Sequence, residues 1–426
     1  MIFFLRKNRL RCRFFLPLRH KWDVFNRVLH PTIRIIISKL GDDLTISHMK
    51  KTIRYTVYSI GFIFLFTGTF SCNSGKRLVT DNDFFCLPQD NEVNIEVDRL
   101  VIEELLPNIS NTSYIGYSAI NSGSLFFADH LLGTLTQFDK EGLSLGPKIL
   151  QGNGPSELPT IPEGYTISDE GHHFFVGSSN DVYEFDENFN KVNNFFFYNK
   201  RIMEGNVYER SDFYTLFYGN LNLKINDGNM YMNVAGGNDD LDATSRDFYK
   251  VSRIINKRDA KTGDIYGYLG RLSPSIKYMT AFQKDYFCIN QEGEFVIAYE
   301  ADDLMYVYDQ DYKLKYSFGQ PGRDMNRDYV ELKVDDFEDV LQNERDTKGR
   351  YTSLGIANGL VFRTYWTGLP EDKTRLQIYD GTTMIGDVDV PDGFKVLGYI
   401  APYYYSEFIC DEEAETMKLY RFKLDR

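Results

Sequence analysis

Six copies of one hairpin phrase, a content of 30 Tyr and 33 Phe, and near absence of helical periodicity predict an all-β chain. Each phrase is an alternating apolar strand, a polar turn, and a second alternating strand ending in an aromatic plus Asp or a similar residue. Apolar residues at period two on both sides of a turn mark a β-hairpin with one face buried. Tyr and Phe favour such pleated, half-buried surfaces. The aromatic-Asp positions fall at 139, 186, 309 and 380, with looser copies near 250 and 421, so the intervals run from about 40 to 70 residues. An interval of that length holds four strands, and its repetition is the mark of a propeller blade. The predicted fold is a six-bladed β-propeller with four-stranded antiparallel blades, its ring closed by an N-terminal strand.

Before the ring comes an address. Residues 1–48 carry ten Lys and Arg against three Asp and are apolar in patches such as Ile33 to Ile37. They read as upstream sequence translated from a misplaced start, because the next residues form an export signal of their own. Met49-Lys50-Lys51-Thr52-Ile53-Arg54 is basic, Tyr55 to Phe70 is apolar, and Ser71 precedes Cys72. The apolar run is shorter than the roughly 20 residues of a comfortable membrane span. The rival reading of residues 1–48 is a basic, membrane-associating extension. Residues 49–71 are thus expected to be a signal peptide and Cys72 a lipidated residue. Thr69 stands where Leu is common in lipidation signals, and Phe70 is bulky for its place, so simple cleavage is the alternative. Residues 72–90 begin Asn73-Ser74-Gly75-Lys76 and read as a polar tether, leaving 91–426 for the propeller.

Without leader and signal, 35 basic and 58 acidic residues remain. So acidic a chain argues against a nucleic-acid backbone or an anionic membrane face as partner. Cys86, Cys288 and Cys410 are the other cysteines beyond Cys72, too few and too scattered for a disulfide framework or a C-x-x-C zinc site. Cys288 and Cys410 are expected as small buried residues on strands, with one bridge among the three as the alternative.

A strand from about Val93 to Val101 is expected to pair with the last hairpin and close the ring, which removes exposed sheet edges. The hairpins follow in order. Leu125 to Asp129 leads to Leu135 to Asp139, His173 to Val176 to Val182 to Asp186, and a looser Met230 to Asn233 to Phe248 to Val251. Then Phe295 to Tyr299 leads to Met305 to Asp309, Gly359 to Phe362 to Leu376 to Asp380, and Glu407 to Cys410 to Lys418 to Arg421. Asp328 to Asn343 is the one segment with helical character and reads as an insertion.

Two glycine segments carry a family resemblance. Gln151-Gly152-Asn153-Gly154-Pro155-Ser156-Glu157-Leu158 resembles the G-x-G-P-x-E turn of the six-bladed, TolB-like propeller lipoproteins of Gram-negative gut anaerobes. Phe318-Gly319-Gln320-Pro321-Gly322-Arg323-Asp324-Met325 is similar to the same family's F-G-x-x-G-x-D-M exit from a blade. The resemblance covers most of Asn91 to Arg426 and implies a fold without implying an activity. In it, Gly152, Gly154, Pro155, Glu157, Gly319, Gly322 and Asp324 form turns from one blade's outer strand to the next blade's inner one. Surface-exposed members of the family carry acids directly after the lipidated cysteine. Their absence here implies an outer-membrane lipoprotein facing the periplasm rather than the cell surface.

Catalytic patterns are sparse. No G-x-S-x-G elbow occurs, and the glycine segments lack the Lys and following helix of a phosphate loop. His130, His172 and His173 are expected as ordinary polar groups at strand ends. Asp239-Asp240, Asp302-Asp303, Asp335-Asp336 and Asp411-Glu412-Glu413 lack the spacing of a calcium loop and read as solvated turns. Thr364 to Lys373 reads as an exposed hairpin loop, which makes Trp366, with Tyr365 beside it, the best candidate for stacking on a ligand. No cofactor is implied. The expected function is an exported, lipid-anchored binding module for a protein, peptide or glycan, without catalysis. The alternative is a metal-dependent propeller enzyme of lactonase or lyase type, with carboxylates in the central channel.

Overall fold

The computed structural model describes residues 92–177, 181–196, 221–236, 253–270, 272, 282, 284–330 and 337–424. The export signal, Cys72, the tether and Cys86 lie outside the described residues, as do Asp239-Asp240 and Asp335-Asp336.

Two strands precede the first complete sheet, β1 (Val93–Val97) and β2 (Ile102–Leu105). Blade 1 is β3 (Gly116–Asn121), β4 (Ser124–Asp129), β5 (Thr134–Phe138), β6 (Ser144–Gln151) and the short β7 (Glu157–Leu158). Blade 2 is β8 (Pro162–Ile167), β9 (His173–Gly177), β10 (Asp181–Phe185) and β11 (Lys191–Phe196). Blade 3 is β12 (Leu223–Asn226), β13 (Asn229–Gly236), β14 (Arg253–Asp259) and β15 (Ile265–Leu269). Blade 4 is β16 (Asp285–Ile289), β17 (Phe295–Tyr299), β18 (Met305–Tyr308) and β19 (Leu314–Phe318). Helix α1 (Phe337–Thr347) follows. Blade 5 is β20 (Lys348–Ala357), β21 (Leu360–Gly368), β22 (Thr374–Asp380) and β23 (Thr383–Asp389). Blade 6 is β24 (Val396–Ile400), β25 (Tyr403–Ser406), β26 (Ile409–Asp411) and β27 (Thr416–Phe422), completed from the other end of the chain by β2.

The six-bladed all-β ring is thus present, and it closes as expected through an N-terminal strand. The closing strand is β2, whose Ile102 to Leu105 pair antiparallel with Phe422 to Leu419. The segment expected to close the ring, Val93 to Val101, lies wholly before this strand and does not pair with the last hairpin. β1 instead lies parallel to the outer strand of blade 5, Val93 opposite Met384 and Val97 opposite Gly386. Two short strands with a bend between them cap two successive blades where one continuous strand was expected.

The inner strands β3, β8, β12, β16, β20 and β24 touch one another in a closed circuit. An apolar cluster fills each gap between neighbouring blades, with Phe126 and Phe175 between blades 1 and 2, and Met232 and Val182 between 2 and 3. Phe287 and Ile255 lie between blades 3 and 4, Val307 and Val361 between 4 and 5, Phe362 and Phe422 between 5 and 6, and Phe127 and Phe408 between 6 and 1. Every blade is therefore sandwiched. Middle strands bury both faces, as in Phe295–Tyr299, which corrects the one-faced reading of the hairpins.

Local chemistry explains the aromatic-Asp signature. Asp139 Oδ1 accepts the amides of Glu141 and Leu143 at 3.0 and 2.8 Å, Asp186 those of Asn188 and Asn190 at 3.0 and 2.8 Å, and Asp309 those of Asp311 and Lys313, both at 2.9 Å. Each Asp closes the turn from the third to the fourth strand of its blade. Two-residue turns join first to second strands at Ser122-Gly123, Asp227-Gly228 and Asn358-Gly359, where both residues have positive φ. That is the type I′ geometry of tight hairpins. In the looser blade 3 phrase the second strand is β14, paired with β13; the expected Phe248 to Val251 lies outside the described residues. The described helix is Phe337–Thr347; Asp328 to Val330, expected in it, are not helical, and 331–336 lie outside the described residues.

Candidate functional site

Strand alternation gives the ring two unlike ends. Tight turns from first to second strands and from third to fourth strands share one, the turn end. Links from second to third strands and from blade to blade share the other, the connection end. The longest links in sequence, 196 to 223, 236 to 253, 269 to 285 and 318 to 348, all belong to the connection end.

Ionisable groups converge there. Lys284 immediately precedes β16, Lys348 and Arg350 open β20, and Lys395 immediately precedes β24. Three successive inner strands therefore start with cations in a chain of net charge −13. Blades 4 and 6 repeat one arrangement. Glu300, just after β17, donates its amide to the Lys284 carbonyl at 3.0 Å, and Glu407, just after β25, does the same to Lys395 at 2.8 Å. The Glu300 carboxylate accepts the Lys284 amide at 3.1 Å and lies 3.4 Å from Arg345 of α1. Lys395 Nζ lies 3.5 Å from Glu407.

Burial tunes this cluster. It pushes the Lys284 ammonium down to about 8, aided by repulsion from Lys395 across the mouth and opposed by Glu300, Asp285 and Glu407. It pushes the Asp285 carboxyl up to about 7, against the attraction of Lys284, and it raises Glu300 as well. Asp285 is 7% exposed, and its Oδ2 has no hydrogen-bond partner. A buried acceptor left unpaired is costly, and such costs concentrate where a ligand or proton is handled.

Aromatic surface adjoins the charges. Lys284 Nζ stands 5.0 Å over the Tyr286 ring, and the Arg350 guanidinium 5.0 Å over Trp366. Trp366 lies opposite Arg350 in the ladder and donates Nε1–H to Asp372 at 2.9 Å. Its ring is half-buried and fixed on two sides, at the connection end. The predicted exposed loop is shorter, however: Leu360–Gly368 is strand, and only 369–373 turns. Tyr365 is therefore corrected as a stacking residue, because it is fully buried with its hydroxyl on Asp387 at 2.9 Å.

The glycine segments connect blades. Gln151 to Leu158 links β6 to blade 2, and a Cβ at Gly152 would stand 2.1 Å from the Glu157 carboxylate, which accepts the Gly154 amide at 2.7 Å. Pro155 lends its carbonyl to the Lys191 amide at 2.9 Å. Gly319 to Asp324 leaves β19 across the face of blade 5. Gly319 has φ +142 with a Cβ position 2.3 Å from the Asp303 carbonyl, Asp324 has φ 59, and a Cβ at Gly322 would meet the Tyr365 ring at 2.7 Å. Three tyrosine hydroxyls of blade 5 receive this segment: Tyr379 accepts from the Gln320 amide, Tyr351 from Gly322 and Tyr365 from Arg323, at 2.9 to 3.1 Å.

Beneath them lies a group that sequence reasoning missed. Arg363 is fully buried and donates to the carbonyls of Asp303 and Gln320, each at 2.8 Å, and to Gln377 Oε1, with its guanidinium 3.8 Å over Tyr351. Its partners lie far away in sequence, so no local pattern announces it.

Other expectations resolve individually. His173 is a core residue rather than a strand-end polar group, since it is buried against Tyr165 and Phe126 and burial pushes its imidazole down to about 4. His172 pairs with Glu184 at 2.7 Å and His130 with the Pro162 carbonyl at 2.7 Å. Asp302 is buried with its carboxylate on Tyr306, and Asp303 engages Tyr351 and Arg327, which corrects their reading as solvated. Asp411, Glu412 and Glu413 are exposed. Cys288 is buried on β16 and Cys410 half-buried on β26, both free thiols. Among the described residues no three of His, Cys, Asp and Glu group as metal ligands, and no helix is long and apolar enough to cross a membrane.

The chain is similar to solved structures. A DUF4221-family protein from Bacteroides vulgatus is 15% identical, with a TM-score of 0.57 over 76% of this chain and 97% of its own. A Bacteroides fragilis protein named as exported is 13% identical, with a TM-score of 0.48 over 79% of this chain and 99% of its own. No family profile matches the chain, and no curated protein matches it. At such identities the likeness concerns fold.

Proposed function

We propose that this protein is an exported binding module, anchored through Cys72, whose ligand site is the connection-end mouth of blades 4 to 6. The observation that carries the reading is the gathering of Lys284, Asp285, Glu300, Arg350 and Trp366 at one end of a rigid ring. Cations and carboxylates gathered beside a fixed aromatic ring are the kind of groups a recognition site uses. The ring itself is permissive, because propellers host unrelated functions. Export fits the basic start, apolar run and Ser71-Cys72, and lipid on Cys72 would hold the module at the envelope, since each buried methylene contributes about 0.8 kcal/mol.

Two measurements test this. The full chain is screened on glycan and peptide arrays beside Arg350→Ala, and binding carried by the wild type and lost in the variant supports the mouth as the site. Binding that Arg350→Ala leaves intact moves the site elsewhere. Incorporation of labelled palmitate that disappears in Cys72→Ala supports the anchor, and labelling that persists rejects it.

A further inference from the structure

We infer that the outer rim of blades 5, 6 and 1 lies against a zwitterionic phospholipid bilayer, so that the ring rests on its side and the connection-end mouth opens along the membrane. The inference rests on the proposed anchor at Cys72 and adds the surface that meets the lipid.

The place where the chain enters the ring comes first. Cys72 and Val93 are separated by 20 residues, and a flexible chain of that length spans about 25 Å on average. The ring receives it at β1, outside blade 5, and β2 continues outside blade 6. Lipid on Cys72 would therefore hold a bilayer near this rim at high effective concentration.

The rim carries the side chains that lipid takes up. Val93 and Ile95 of β1 are exposed, as are Val101 and Leu106 at the two ends of β2, the latter pair by 77% and 72%. Leu143 and Leu145, at the start of β6, continue the strip onto blade 1. The three pieces adjoin. Val97, Leu100 and Ile102 share one apolar cluster, and a Cβ at Gly142 would stand 3.5 Å from the Leu105 side chain. Aliphatic side chains along an outer edge cost free energy in water, and a run of them marks a contact surface for lipid or protein. The chain entry favours lipid.

The neighbouring charges fix the kind of lipid. Glu103 pairs with Arg421 at 2.7 Å, Glu104 with Lys418 at 3.6 Å and Lys140 with Glu141 at 3.9 Å. Paired charges offer no polybasic attraction to anionic headgroups, which matches a zwitterionic surface.

The chain contains 2 tryptophans, Trp22 and Trp366, so Trp22→Phe with Trp366→Phe gives an indole-free background. Into it goes either Leu106→Trp on the rim or Tyr266→Trp on β15, outside blade 3 on the opposite side of the ring. Each lipidated protein is reconstituted into phosphatidylcholine vesicles with and without a brominated lipid, and floated. The expected result is flotation of both, with bromine quenching Leu106→Trp at least about three-fold more than Tyr266→Trp. Adding Leu143→Glu with Leu145→Glu should abolish the excess while flotation persists. Circular dichroism confirms that each variant is folded. Flotation with equal quenching, or an excess that survives the double substitution, overturns the rim contact and leaves the anchor. Failure to float removes anchor and inference together. An indole at position 106 already in apolar surroundings in a Cys72→Ala protein that elutes as a dimer assigns the rim to a second copy, and also overturns the inference.

Discussion

The gap between blades 6 and 1 and the gap between blades 4 and 5 both hold the ring together, yet they are built from different chemistry. Between blades 6 and 1 the packing is mainly apolar, with hydrogen bonds to Ser118 and the Lys140 carbonyl. Phe408 packs edge-on against Phe127 at 5.7 Å and beside Phe138 at 4.8 Å, with Leu419 and Met417 filling in. Between blades 4 and 5 an apolar cluster around Val307 and Val361 is joined by a buried guanidinium and three tyrosine hydroxyls that tie the crossing segment to the sheet. An apolar gap is indifferent to direction, whereas a polar one fixes which groups lie at which end. The charged mouth stands beside the polar gap. The same Asp303 turn that Arg363 holds follows Glu300 by three residues, so the network that locks blade 4 to blade 5 also positions the acid facing Lys284.

Breaking the polar gap should cost most. Arg363→Ala takes the guanidinium donor from the Asp303 carbonyl, removes one of several donors to the Gln320 carbonyl and Gln377 Oε1, and leaves a cavity under Tyr351, and a loss of about 4 kcal/mol is expected in urea unfolding. Phe408→Ala tests the apolar gap and should cost about 3 kcal/mol by the same measurement, through lost burial and a cavity. If the apolar change proves the costlier, the contrast drawn between the two gaps is wrong. Gly319→Ala places a methyl against the Asp303 carbonyl and should cost about 2 kcal/mol, whereas Gly381→Ala, at a turn with open space around it, should cost about 1 kcal/mol from its positive φ alone.

A smaller effect concerns pH. The folded Asp285 carboxyl lies at about 7, above its unfolded value, so the folded state binds the extra proton and stability from this group is lost as pH rises toward 7. Asp285→Asn removes that loss, and the variant's stability relative to wild type should therefore improve from pH 5 to pH 8. A difference between the two proteins is the right readout, because burial lowers His173 and gives the whole protein an opposite slope at acidic pH. A flat difference across that range would show that Asp285 is ordinarily ionised.

Much of the ring was legible in the sequence because propeller blades repeat local signals. The aromatic-Asp endings predicted hairpins correctly since the Asp closes its own turn, a contact within five residues. The Asp227-Gly228 and Asn358-Gly359 pairs were further local signals for tight hairpins. What failed was non-local. One-faced burial was inferred from each hairpin alone, while burial of the second face depends on a neighbouring blade. Val93–Val97 went to blade 5 because parallel pairing with Met384 has no sequence signature. Trp366 could be picked as an aromatic near a turn, yet Tyr365 beside it points the other way, as alternate residues of a strand must. Lys284 and Asp285 carry no motif, and their significance comes from Lys395 and Glu300, which the ring brings to them.

The mouth as the binding end is tested most directly by hydrogen exchange of the full chain with and without the strongest ligand from the arrays. The account predicts slowed exchange at the starts of β16, β20 and β24 and around Trp366, with the turns at 121–124, 226–229 and 357–360 unchanged. Protection confined to those turns, or to the outer strands, would contradict it.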